Sequence, residues 1–204
     1  MFHDIMGLER ALPWLALAFA VGCLAGSIPF AIVVARLFGL PDPRGVGSGN
    51  PGATNVLRSG HKLAGVLTFA LDAAKAGLTA LAFLNWGDLA AQAAALGAIL
   101  GHCFSPWLGF RGGKGVSCFM GIVFALTPWA GLGIAATWAA AALGSRISAL
   151  GALAASAAAP LWLAALGYWE AVLLAVVLAV LIWLTHLANI RRLLAGTEAR
   201  FGRR

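Results

Sequence analysis

Charge is scarce in this sequence. Only 10% of its 204 residues are Asp, Glu, Lys or Arg, only 7 of them acidic, against 61% hydrophobic residues. With a mean hydropathy of +0.90, that balance excludes a soluble domain. Short alternating strands are missing too, which argues against a transmembrane barrel. Cysteine is sparse: Cys23, Cys103 and Cys118 lie in or beside apolar segments without metal-ligand spacing, so they read as small buried hydrophobes with no disulfide. No carboxylate cluster suited to Mg²⁺ occurs, which argues against a CDP-alcohol phosphotransferase or a nucleotide-dependent kinase. No His-x₄-Asp pair follows any histidine, and no Ser/His/Asp set sits in a recognisable elbow. Gly113-Lys114 is followed by Gly115, so the Walker spacing and its Ser/Thr are missing and ATP binding is not expected.

What is present is a series of apolar runs, each of the order of the ~20 residues that span a bilayer. The expectation is an all-α integral membrane protein of about seven transmembrane helices, some of them short, forming a single membrane-embedded domain over residues 1–204. The first helix is expected from about Leu12 to Phe38, too long for a signal-peptide core, with a proline kink at Gly26-Ser27-Ile28-Pro29 that frees a carbonyl. The second covers about Leu63 to Phe83 and carries Asp72 and Lys75, three apart and able to pair. A third runs from about Leu89 to Leu100. Residues 116–143 are too few for two full spans, so two short helices turning near Thr127-Pro128 are expected, with a re-entrant pair as the alternative. The sixth covers about Ala149 to Leu166, and the seventh runs to about His186 and continues as a helical tail. Arg36, Arg44, Arg58, Lys62, Arg111, Lys114, Arg146, Arg191, Arg192, Arg200, Arg203 and Arg204 fall between or after apolar runs in one set of gaps, and Asp4, Glu9, Asp88 and Glu170 in the other, with only Arg10 as a basic companion. The positive-inside rule then places the N-terminus outside and the C-terminus in the cytoplasm, with the basic loops at 39–62, 102–115 and 144–148. Topology explains the net charge of +7 without nucleic acid as a partner.

The polar residues gather in those cytoplasmic stretches. Residues 42–58 form a glycine-dense loop in which Gly47, Gly49 and Gly52 allow backbone N–H groups to converge. Ser48, Asn50, Thr54 and Asn55 can hold its shape, and Arg44 and Arg58 bracket it. Read alone it is an oxyanion cradle or a connecting loop rich in turn residues. Gly101 to Gly115 sets His102 and Ser105 at one end and Arg111, Gly112, Gly113 and Lys114 at the other, opening a helix whose N-terminus favours an anion. His186 and Asn189, three apart beside Arg192, lie on one face of the tail. Together these suggest one site for a phosphorylated, water-borne substrate at the inner leaflet.

Gly26-Ser27-Ile28-Pro29, Gly47 to Asn55, Gly101 to Ser105 with Gly112 to Gly115, and His186…Asn189…Arg192, in that order from about residue 22 onward, resemble the bacterial acyl-phosphate:glycerol-3-phosphate acyltransferases (PlsY type). One departure is Ala149, where a second serine would be expected after Ser145-Arg146-Ile147-Ser148. The resemblance implies transfer of an acyl group from acyl phosphate to the 1-hydroxyl of glycerol 3-phosphate at the cytoplasmic side of a bacterial inner membrane. It implies no cofactor and no metal. An acyl phosphate is already activated, so catalysis would rest on positioning and oxyanion stabilisation. As candidate catalytic groups it offers His102, Ser48, Asn55 and Lys114. As candidate substrate-binding groups it offers Arg44, Gly47, Gly49, Asn50, Thr54, Arg58, Ser105, Gly112, Gly113, Ser145, His186, Asn189 and Arg192. The base is either His102 or a substrate phosphate. The rival from another class is a small organic-phosphate transporter, which would carry polar groups to the external face and show an inverted repeat. A weaker rival is a membrane scaffold with inert motifs.

Overall fold

A computed structural model describes residues 7–200; Asp4 of the expected N-terminal lead and the terminal Arg203 and Arg204 lie outside the described residues. Among those residues every regular element is helical: α1 (Leu8–Ser27), α2 (Phe30–Leu37), α3 (Ala53–Arg58), α4 (Lys62–Leu84), α5 (Asp88–Cys103), α6 (Val116–Leu126), α7 (Pro128–Ser145), α8 (Ser148–Ala165), α9 (Trp169–Thr185) and α10 (Leu187–Leu194). Two 3₁₀ turns, Pro43–Gly45 and Pro106–Leu108, lie in the glycine-rich loops. The chain divides into two compact units, Met1–Leu126 and Thr127–Arg204. Four segments are long and apolar enough to cross a membrane, or five if α9 and α10 count as one bent span.

In the first unit α1 and α5 meet backbone to backbone through glycines. A Cβ at Gly22 or Gly26 would overlap the carbonyls of Ala94 or Ala98, and one at Gly97 or Gly101 would overlap those of Phe19 or Cys23. Reciprocal small-xxx-small stripes are how helices approach closely where lipid supplies no hydrophobic drive. Gly121 packs the same way on the Ala73 carbonyl of α4, joining α6 to it. In the second unit Gly133 of α7 makes room for the Trp162 ring of α8, whose Nε1 donates to Thr137 Oγ1 at 3.0 Å.

Four expectations are corrected. The first helix is not continuous: it stops at Ser27 and restarts at Phe30. Pro29 has no N–H, and Ile28 before it is extended at φ −60°, ψ 118°. The third helix runs on to Cys103, so His102 sits in its last turn rather than in the loop. The break near Thr127 is present, but α7 is 18 residues long and not short. The tail does not prolong the seventh helix, since α10 bends 63° away from α9.

Candidate active site

The first glycine loop is built around Asn55, which is 2% exposed. Its Nδ2 donates to the Asn50 carbonyl at 2.9 Å and reaches Ser48 Oγ at 3.3 Å and the Pro43 carbonyl at 3.4 Å. Its Oδ1 accepts from Arg58 Nη1 at 3.0 Å. One amide therefore ties the start, middle and end of the loop together. Gly47 and Gly49 take positive φ of 57° and 72°, left-handed conformations that glycine adopts without strain. A Cβ at Gly47 would also crowd Asn55 Oδ1 and Arg58 Nη1. Ser48 is exposed, Asn50 and Thr54 half-buried. At the loop's entrance Asp42 caps the 3₁₀ turn, accepting the Arg44 N–H at 2.9 Å, and pairs with Arg44 Nη2 at 2.6 Å. That bond holds the Asp42 carboxyl below its ordinary value.

The break in the first span exposes carbonyls that helix continuation would have used. Lys75 Nζ, from α4, donates to the Ile28 carbonyl at 2.7 Å. Ser105 Oγ donates to the Ser27 carbonyl at 2.7 Å, and Trp107 Nε1 donates to Ser27 Oγ at 3.0 Å. Lys75 is at the same time 2.6 Å from Asp72 Oδ1 and 3.1 Å from His102 Nδ1. Its contact with Asp72 is a close ion pair without hydrogen-bond alignment. Asp72, Lys75 and His102 are all buried.

The second glycine loop folds back onto the end of α5. Gly112 N–H donates to the Cys103 carbonyl at 2.9 Å and Gly113 N–H to the His102 carbonyl at 3.1 Å. Any side chain at Gly113 would overlap the His102 ring at its Nε2 edge. His102, Ser105, Leu108, Gly113 and Asp72 line one small pocket with Pro51 of the first loop and residues 27–31 at the helix break. Both glycine loops thus converge on the broken span. Lys114, half-buried, follows directly.

In the second unit Ser145 ends α7: its Oγ donates to the Ala141 carbonyl at 2.6 Å and accepts from Ile147 N–H at 3.1 Å. His186 is buried at the α9–α10 bend, with Nδ1 2.8 Å from the Ile182 carbonyl. Asn189 Nδ2 and Arg192 Nε donate to the two carboxylate oxygens of Glu198 at 2.8 and 2.7 Å. Asn189 and Arg192 are thus together, as their spacing implied. Glu198 escaped sequence reasoning, because its partners lie nine and six residues back across a turn. The pairing of Asp72 with Lys75 was legible from their spacing; the reach of Lys75 to His102 and Ile28 was not.

The family described as "Glycerol-3-phosphate acyltransferase" matches residues 16–196. The glycerol-3-phosphate acyltransferase of Methylorubrum extorquens (strain PA1) is 50% identical over 192 residues, 94% of this chain and 95% of that one. That of Sinorhizobium fredii (strain NBRC 101917 / NGR234) is 46% identical over 199 residues, 98% of each. The crystal structure of PlsY (YgiH), an integral membrane glycerol 3-phosphate acyltransferase in its glycerol 3-phosphate form, superposes with a TM-score of 0.84 at 38% identity, covering 95% of this chain and 96% of that one. Its lysophosphatidic acid form gives a TM-score of 0.83 with the same identity and coverage. By sequence along nearly its whole length and by fold, the chain belongs to the PlsY-type glycerol-3-phosphate acyltransferase family.

Proposed function

We propose that this acyltransferase takes its acyl group from an acyl phosphate and passes it to the 1-hydroxyl of glycerol 3-phosphate, giving lysophosphatidic acid and phosphate. Membership of the family sets aside the organic-phosphate transporter. The observation that carries the reading is the convergence of two glycine loops and His102 on a break within an apolar span. Such a place lets a phosphate and a fatty chain meet. The hydroxyl oxygen attacks the carbonyl carbon, the bond from that carbon to the phosphate oxygen breaks, and the hydroxyl proton leaves on the departing phosphate. Because the mixed anhydride is already activated, the step calls for no covalent enzyme intermediate, cofactor or metal.

In this reading the Ser48–Asn50 backbone, with Gly47 and Gly49, holds a phosphate, and Arg58 and Lys114 neutralise it. Asn55 shapes the cradle and keeps Arg58 in place. Arg44 stands at the entrance with Asp42. Gly112 and Gly113 bring backbone close to His102, and Ser105 steadies the broken helix. His186, Asn189 and Arg192 bind the glycerol 3-phosphate, and Ser145 assists from the end of α7. The match across residues 16–196 supports one functional domain over the chain. The protein sits in the bacterial inner membrane with its site on the cytoplasmic side.

Purified protein supplied with palmitoyl phosphate and glycerol 3-phosphate, without metal or nucleotide, tests the donor. Lysophosphatidic acid and phosphate from wild type, and none from Lys114→Ala, is the expected result. Product from palmitoyl-CoA alone would overturn the acyl-phosphate donor and leave the acyltransferase standing.

A further inference from the structure

We propose that the Asp72–Lys75 pair fixes His102 as the neutral Nε2–H tautomer, a hydrogen-bond donor aimed at the loop pocket rather than a base. Lys75 is then a positioning residue, and this role rests on the acyl-transfer reading above.

An ammonium has three donors and no lone pair. Here the ammonium donates to the Ile28 carbonyl at 2.7 Å and faces His102 Nδ1 at 3.1 Å, while Asp72 Oδ1, 2.6 Å away, is its ion-pair partner without hydrogen-bond alignment. His102 Nδ1 lies 3.1 Å from Lys75 Nζ and 3.6 Å from Asp72 Oδ1; the nearer group is a donor, so Nδ1 presents its lone pair to it and the ring proton sits on Nε2. Charge balance points the same way. The titratable groups around the imidazole are Asp72 and Lys75 of α4, Cys103 of α5, and Cys118 of α6, whose Sγ donates to the Asp72 carbonyl at 3.3 Å. One carboxylate meets one ammonium. An imidazolium would add a second, uncompensated cation to a site where His102 is only 8% exposed, and an unpaired buried charge is costly.

The far edge of the ring faces the other way. Nε2 abuts Gly113, where a Cβ would overlap it, and His102 lines the pocket with Ser105, Gly113 and Pro51. A fixed N–H in a water-poor pocket stabilises negative charge that develops on a carbonyl or phosphate oxygen. The Ile28 contact ties this geometry to the helix break. The carbonyl released next to Pro29 holds the ammonium that holds the ring.

The test is nitrogen-15 NMR of full-length protein labelled at histidine, in lipid nanodiscs near neutral pH, with the His102 signals assigned from the His102→Gln spectrum. The expected result is one protonated nitrogen, Nε2, in wild type, and a mixed or inverted tautomer in Lys75→Met. Alongside it, kcat with palmitoyl phosphate should fall about 10- to 100-fold in Lys75→Met, as when a group that orients a working histidine is lost, with KM nearly unchanged. Lys75→Arg should restore part of it. Wild type and His102→Gln should give pH–rate profiles of the same shape. An imidazolium or an Nδ1–H tautomer in wild type would overturn the proposal, as would a neutral limb that vanishes in His102→Gln. The wild-type spectrum decides even if Lys75→Met does not fold. Wild type inactive with palmitoyl phosphate would sink the donor reading without touching the tautomer.

Discussion

At the scale of the residue, the candidate site depends on side chains that bond to the protein more than they project from it. Asn55 is the clearest case, since its side-chain amide bonds to Pro43, Ser48, Asn50 and Arg58, all within residues 43–58. Asn55→Ala should lower stability by about 1–3 kcal/mol, the cost of stranding buried partners, and should also reduce kcat/KM. Asn55→Asp should be no better, because a carboxylate would face the carbonyls of Asn50 and Pro43. Thermal unfolding in detergent and steady-state kinetics would check both. Asp42 gives the opposite lesson, being an exposed residue in an exposed pair. Its folded value lies below the ordinary 3.8 because Arg44 bonds to the carboxylate. A lowered carboxylate stabilises above its unfolded value and loses that contribution as pH falls through the folded one. The pair should therefore be intact at every pH where the enzyme is assayed, and Asp42→Asn should alter the unfolding midpoint, slightly, only above about pH 4.

At the scale of the element, glycine does two separate jobs. In the loops it permits turns; in α1 and α5 it removes bulk so that two helix backbones touch. Gly97→Val would drive a branched side chain into the Phe19 carbonyl. A loss of about 1–3 kcal/mol is expected from such overpacking, read as a lower unfolding temperature. Substitutions at exposed Leu24 on the same α1 should cost little. The short α10 depends on a different device. Glu198, whose side chain is 7% exposed, holds Asn189 and Arg192 against it. Glu198→Ala should cost about 1–3 kcal/mol, and Glu198→Gln less because it keeps an acceptor. Differential scanning of the two variants would rank them.

At the scale of the whole molecule, the membrane class, the positions of the polar loops and most helix ends were legible because hydropathy and charge placement are linear features of a chain. Pro29 marked the kink, and the spacing of Asp72 and Lys75 marked their pairing. What could not be read was everything that depends on which helix lies beside which. Lys75 meets His102 across 27 positions, and Ser105 meets Ser27 across 78. No local periodicity encodes such contacts. The facing stripes at Gly22, Gly26, Gly97 and Gly101 were visible in principle, as glycines repeating every four residues. The bend at His186 escaped because His186 to Leu194 is compatible with uninterrupted helix. The proposed orientation in the bilayer rests on charge placement alone and can be tested directly. In a cysteine-free background, Asp88→Cys should react with a membrane-impermeant maleimide in intact cells, and Lys62→Cys only after permeabilisation.

The ion pair within α4 also bears on how the chain is made. A lone Asp or Lys at the centre of a span adds about 2.5–3.5 kcal/mol to its insertion by the translocon. Asp72 and Lys75 are one helical turn apart and 2.6 Å from each other, so each neutralises the other before α5 and α6, which follow in the chain, have emerged. The segment can partition into lipid as a dipole and keep its charges for later use. An α4 segment carrying Lys75→Met alone gains less from its new apolar side chain than scales for isolated residues imply, because Asp72 enters uncompensated. Membrane integration of the isolated segment, scored by glycosylation of flanking acceptor sites, would expose that shortfall.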